Sequence, residues 1–170
     1  EARSSIVVSS TAAGPAAAIA SPRPGSATHQ SALQVTGYSR YPADSGGGRV
    51  RVSVDNGAPV DAQPGGPGAA SNGWTAQVTL RGEGTHTISS TAVPGGTQAG
   101  DSGGLGVTYS VTVTLDTTPP QLLVTAPAER HVVADTVTLR GTAADALSGV
   151  ARVEVSLDGG TTWDRAGLTG

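Results

Sequence analysis

His29, His86 and His131, thirteen carboxylates and a wealth of hydroxyls are the side chains of this 170-residue chain that could do chemistry near neutral pH; it has no cysteine. No two histidines stand at the H-x-x-x-H spacing that would put them on one metal ion. Serines abound, but none lies in a G-x-S-x-G elbow between a strand and a helix. A glycosidase pair of carboxylates is defined by distance in space rather than along the chain. Here the acids fall in turns or at strand ends, where no deep pocket is implied. Asp44 and Asp145 occupy matching loops between the second and third strands, and Asp116 sits at a junction. Loops of that kind can offer oxygens to calcium, which wants roughly six to eight. Yet no D-x-D-x-D-G series appears, and solvated turn carboxylates are the expectation. His86 shares an alternating strand face with Ile88, which predicts a packed, hydrogen-bonded imidazole. The chain is therefore expected not to be an enzyme, with no catalytic, cofactor-binding or metal-ligating residue.

The elements that would position such groups are strands. The chain has 25 Gly and 11 Pro, and no Lys, Met or Phe; all ten basic residues are Arg. This composition suits short strands joined by turns and suits long helices poorly. Val50, Val52 and Val54 alternate with Arg49, Arg51 and Ser53. Trp74, Ala76, Val78 and Leu80 alternate with polar residues, as do Val107, Tyr109, Val111, Val113 and Leu115. Val137 and Leu139, then Val153, Val155 and Leu157, read the same way. One apolar face per strand is what a two-sheet sandwich buries. A net charge of −3 without a basic run argues against nucleic acid. No apolar run approaches the roughly 18 to 20 residues that span a bilayer.

An internal repeat organises the chain. Leu33–Gly37 matches Val137–Gly141, with the glycines 104 residues apart, and Arg51–Gly57 matches Glu154–Gly160, with the aspartates 103 apart. Pro15 and Pro120 are 105 apart, as are Ile6-Val7-Val8 and Val111-Thr112-Val113. Such a period is one whole immunoglobulin-sized domain. The expected fold is all-β: tandem immunoglobulin-like β-sandwich domains, one complete and one partial. Residues 1–14 read as the last strand of a preceding domain, 15–117 as the complete domain, and 118–170 as the N-terminal half of the next. That half lacks counterparts of the last three strands, so its apolar face should stand open.

Asp116-Thr117-Thr118-Pro119-Pro120 should end one strand and stiffen the junction. Ser156-x-Asp158-x-Gly160-x-Thr162-Trp163 fits the Asp-box pattern of sialidase-like propellers. A propeller would repeat it in every blade, about every 40–50 residues. Its one echo, Ser53–Gly57, lies 103 residues earlier and lacks the tryptophan, so a sandwich hairpin is expected. The junction, the strand Leu122–Pro127, Val137–Gly141, Ser148–Trp163 and Gly84–Ile88 together resemble bacterial Ig-like domains of tandem-repeat cell-surface or secreted proteins. Two Gly-rich stretches, Gln63–Gly73 and Pro94–Gly106, depart from that pattern. The resemblance implies a structural or adhesive extracellular segment: a stalk, adhesin or filament subunit. It could assemble by strand complementation, residues 1–14 of one copy entering the open half domain of another. Its partners would be neighbouring domains or identical subunits. The alternative is an accessory or carbohydrate-binding spacer of a secreted enzyme. For that reading Tyr38 and Tyr41 are the candidate stacking rings, because Trp74, Trp163 and Tyr109 read as inward.

Overall fold

The computed structural model describes residues 14–41, 47–65, 72–95, 106–127 and 136–168. Residues 1–13 of the expected strand 1–14, Asp44, His131 and much of both Gly-rich stretches lie outside them. The chain divides into two compact units, Glu1–Leu115 and Asp116–Gly170. Among the described residues there is no helix, and none long and apolar enough to cross a membrane.

The first unit runs β1 Ala16–Ser21, β2 Ser26–Thr28, β3 Ala32–Arg40, β4 Gly48–Val54, β5 Val60–Asp61, β6 Gln63–Pro64, β7 Gly73–Thr79, β8 Gly84–Pro94 and β9 Tyr109–Leu115. They form a four-stranded sheet in the order β1-β3-β7-β6 and a five-stranded sheet in the order β2-β9-β8-β4-β5. Among the described residues the paired strands of this unit are antiparallel except β2, which runs parallel to β9 with Ser26 opposite Val113 and Thr28 opposite Leu115, and a single parallel bridge joins Ala16 to Val107. This is the immunoglobulin-type β-sandwich. Its core is built from the alternating sets. Val35, Trp74, Ala76, Val78 and Leu80 face Val50, Val52, Ile88, Val113 and Leu115, all buried. Ser90 is fully buried as well, and its hydroxyl donates to the Ala17 carbonyl at 2.6 Å, joining strands of the two sheets through a satisfied polar bond.

Gly37 lies opposite Trp74 across β3 and β7. A Cβ there would run into the Ala18 carbonyl and the Trp74 ring. The glycine that closes the Leu33–Gly37 motif is thus needed for close approach rather than for a turn. Two members of the β9 alternation do not bury as expected: Val107 is 62% exposed and Tyr109 43%. A period of two gives the phase of a strand; depth depends on what stands opposite. The outer face of β8 and β9 is a ladder of hydroxyls, with Thr85 opposite Thr114, Thr87 opposite Thr112 and Ser89 opposite Ser110. The Ser89–Ser110 and Thr91–Thr108 hydroxyls bond across the strands at 2.8 and 2.9 Å.

The second unit contains two two-stranded sheets, β10 Gln121–Ala126 with β11 Arg140–Ala144, and β12 Glu154–Val155 with β13 Asp164–Arg165. The sequence repeat returns here as geometry. Val124 pairs with Gly141 as Ile19 pairs with Gly37, and each first strand has a register shift immediately afterwards. A Cβ on Gly141 would meet the Leu123 carbonyl, as one on Gly37 would meet Ala18. Glu154 stands opposite Arg165 where Arg51 stands opposite Asp61, so the repeat keeps the pair and inverts its charge. Two expectations need correction. Val137–Leu139 precedes β11 rather than forming part of it, and Leu157 turns outward at 77% exposure. Leu122, Leu123 and Val124 are about three-fifths exposed, because no strand among the described residues covers β10.

Candidate functional site

The most developed polar site in the first unit grows from the β4–β5 turn. Asp55 and Asn56 have φ of 50° and 58°, and the Gly57 amide donates to the Val54 carbonyl at 2.8 Å. Two consecutive positive φ values suit Asp and Asn, which tolerate the left-handed region. The Asp55 carboxylate accepts the Thr87 amide at 2.8 Å on Oδ1, while Oδ2 lies 2.7 Å from His86 Nδ1. The other ring nitrogen, Nε2, lies 2.8 Å from the Gly82 carbonyl. His86 is 5% exposed, the packed and bonded imidazole that its strand position predicted. The Asp55 hydrogen bond raises the His86 pKa above its ordinary value. In return the bond from His86, followed by the Thr87 amide, lowers that of Asp55.

Asp55 itself was legible only as a turn residue. The repeat explains its partner. In the second unit the equivalent Asp158 is satisfied by its own turn. Its Oδ1 accepts the Ser156 hydroxyl at 2.8 Å and the Thr161 and Thr162 amides at 3.0 and 2.9 Å, while Oδ2 accepts the Thr162 hydroxyl at 2.6 Å. In the first unit Ala58 and Pro59 stand where Thr161 and Thr162 stand. Neither has a side-chain donor, and Pro59 has no amide proton. The carboxylate therefore turns to β8.

The Asp-box-like stretch is a self-satisfied hairpin turn. The Thr162 hydroxyl, then its amide, then the Ser156 hydroxyl hold the Asp158 carboxyl down at about 2. A depressed carboxylate stabilises its structure above its ordinary pKa and releases it as the pH falls through the folded value. The Thr161 and Thr162 amide resonances are accordingly expected to keep their positions down to pH 3. They should then move together with a midpoint near 2, as followed by proton–nitrogen correlation spectra. A midpoint near the ordinary carboxylate value would refute the network.

Asp116 and Asp145, named above as candidate calcium residues, converge on Ser148. The Ser148 amide donates to Asp116 Oδ2 and to Asp145 Oδ1, both at 2.9 Å, and Gly149 donates to the same Asp145 oxygen at 2.9 Å. Asp116 also accepts the Thr118 amide at 3.1 Å. Hydrogen bonding from Ser148, side chain first, keeps the Asp116 carboxyl below its ordinary value. These oxygens cap a turn. Among the described residues no group of three or more His, Asp or Glu side chains could hold a metal ion.

The aromatic residues are rearranged relative to expectation. Trp74 is buried as read, but Trp163 is 60% exposed. Its indole nitrogen donates to the Gly160 carbonyl at 3.1 Å, so it sits over its own turn. Tyr41 is no stacking platform, because its ring packs where a Cβ on Gly48 would fall, and burial raises its hydroxyl pKa. Tyr38, 45% exposed, stands in the sheet between Ala18 and Gly73, two small neighbours that leave its ring uncovered. In the second unit Leu122, Val124, Leu139, Val153, Val155 and Leu168 line an open groove.

Residues 120–169 match the family model described as a bacterial Ig domain. The chain resembles the bacterial Ig-like domains its sequence indicated. The match falls within the second unit, and the β-sandwich of the first unit has the architecture that such a domain requires. No curated protein matches the chain. Similarity to a bacterial Ig domain points to a structural role at a surface or outside the cell.

Proposed function

We propose that this chain is a non-catalytic, load-bearing segment of a secreted or cell-surface protein, made of Ig-like domains in tandem and working without a cofactor. In this reading the domains are residues 15–117 and 118–170, with residues 1–14 contributing to a preceding one, and Asp116–Pro120 stiffens the junction. The observation that carries the proposal is the parallel pairing of β2 with β9. The chain enters the first unit through the strands before residue 28 and leaves it at Leu115. A pull on both ends drags two parallel neighbours in opposite directions along their shared axis. Their hydrogen bonds are then loaded together, in shear, instead of one at a time. The Gly25 amide, which donates to the Thr112 carbonyl at 2.8 Å, extends that patch.

Force spectroscopy on the whole chain, tethered at its ends, tests this. Unfolding of the first unit should lengthen the tether by roughly 30 nm, from about 3.3–3.6 Å per residue over Ala16–Leu115 less the folded end separation. Ala27→Pro, which removes a backbone donor from β2, should lower the rupture force while changing chemical stability less. Equal forces for parent and variant would sink the shear reading. The exposed groove of the second unit supports a finer version, in which a strand from another copy covers it and the segment assembles into a filament. A second reading, a carbohydrate-binding spacer, rests on the uncovered ring of Tyr38. Glycan-array binding abolished by Tyr38→Ala would favour it.

A further inference from the structure

We propose that His86 and Asp55 form a proton-dependent clamp: the folded first unit holds a proton on each ring nitrogen of His86, and the clamp opens as the pH rises. Nδ1 faces a carboxylate oxygen at 2.7 Å and Nε2 faces a backbone carbonyl at 2.8 Å. A carbonyl can only accept, and so can an ionised carboxylate. A neutral imidazole has one N–H, so whichever tautomer it chose would set a nitrogen lone pair against an oxygen lone pair. Only the imidazolium satisfies both contacts, and an imidazole 5% exposed has little water to turn to. Asp55 supplies the balancing charge and is itself fixed by the Thr87 amide.

The surroundings leave Asp55 as the controlling charge. On the turn before β8 the ionisable neighbours are Arg81 and Glu83. Opposite His86 on β9, residues 112–114 are Thr, Val and Thr, and β2 beyond them carries no charge. The clamp ties the turn after β4 to the turn before β8, where Gly84 stands opposite Leu115 at the end of β9. It therefore closes the end of the sandwich from which the chain leaves for the second unit.

The direction of the effect follows from linkage. The His86 pKa is raised from its ordinary 6.5, so its contribution is fully present below 6.5 and is lost as the pH rises through the folded value. The Asp55 pKa is lowered, so its contribution is lost only as the pH falls through a value below the ordinary carboxylate range. The clamp is closed between these limits.

Two measurements on the full chain test the proposal. In nitrogen-15 spectra of the imidazole rings at pH 6.5, where an ordinary imidazole is half protonated, both His86 nitrogens should show predominantly the protonated signature. One pyridine-like nitrogen would overturn the clamp, and this reading needs no variant. In hydrogen exchange, the opening constant of the Thr87 amide should rise up to tenfold per pH unit between 6.5 and the folded pKa, then level off. In Asp55→Asn the ring should titrate at lower pH and the extra pH dependence should vanish. A slope unchanged by that substitution would equally overturn the proposal.

Discussion

Replacing Trp74 with alanine is expected to cost the first unit about 3–5 kcal/mol, a large share of the roughly 5–15 kcal/mol that holds a domain folded. The ring is 2% exposed and belongs to the central cluster. It also fills the space that Gly37 leaves open on the neighbouring strand. Truncation to alanine would leave a cavity between β3 and β7 beside that glycine. Gly37→Val attacks the same contact from the other side. Its Cβ would be forced into the Ala18 carbonyl as well as the ring, and backbone cannot step aside as a flexible side chain can. Overpacking typically costs about 1–3 kcal/mol, and this site belongs at the upper end. Urea titrations followed by circular dichroism would measure both. If Trp74→Ala lost less than about 1 kcal/mol, the ring would not be the centre of the core.

The second large effect concerns the open groove of the second unit. Leu122, Val124 and Leu168 are 61, 59 and 53% exposed, and an apolar patch of this kind marks a surface that something covers. The chain is expected to self-associate in a concentration-dependent manner, as read by light scattering behind size exclusion. Leu122→Ser, Val124→Ser and Leu168→Ser together should return it to a monomer. A synthetic peptide of residues 4–11 separates two modes of association. If it competes, the groove takes a strand, in keeping with the alternation of Ile6 and Val8. If association persists in its presence, the contact is between faces and the strand-exchange reading falls. A chain that stays monomeric at every concentration would remove both.

Much of this architecture was legible in the residues. The alternation of Val50 with Val52, and of Trp74 through Leu80, set which face of each strand is buried. The repeated glycine closing Leu33–Gly37 and Val137–Gly141 marked two positions that share one backbone geometry. The second unit was harder to read. Leu157 and Trp163 carry the alternating pattern of inward residues, yet both lie outside. Alternation encodes phase, while burial requires a facing strand. The clamp was illegible for a different reason. Asp55 and His86 are 31 positions apart, and nothing near either one names the other. The clue lay in what Asp55 lacks: Ala58 and Pro59 stand in place of the two threonines that satisfy Asp158. Only the comparison of the two turns exposes that missing pair of donors.

The hydroxyl ladder along β8 and β9 has a consequence for the medium in which such a protein can work. Eight Ser and Thr side chains, Thr85, Thr87, Ser89, Thr91, Thr108, Ser110, Thr112 and Thr114, make an uncharged strip along β8 and β9, bordered on β4 by Arg49 and Arg51. Two of its rows already bond to each other. Salt acts on contacts between exposed charges, whose reach shrinks from about 30 Å at 0.01 M to about 3 Å at 1 M. The strip itself offers salt nothing to screen, unlike the Arg49 and Arg51 pairs with Asp61 beside it. Where neighbouring molecules touch through this strip alone, their spacing should be the same in fresh water and in brine.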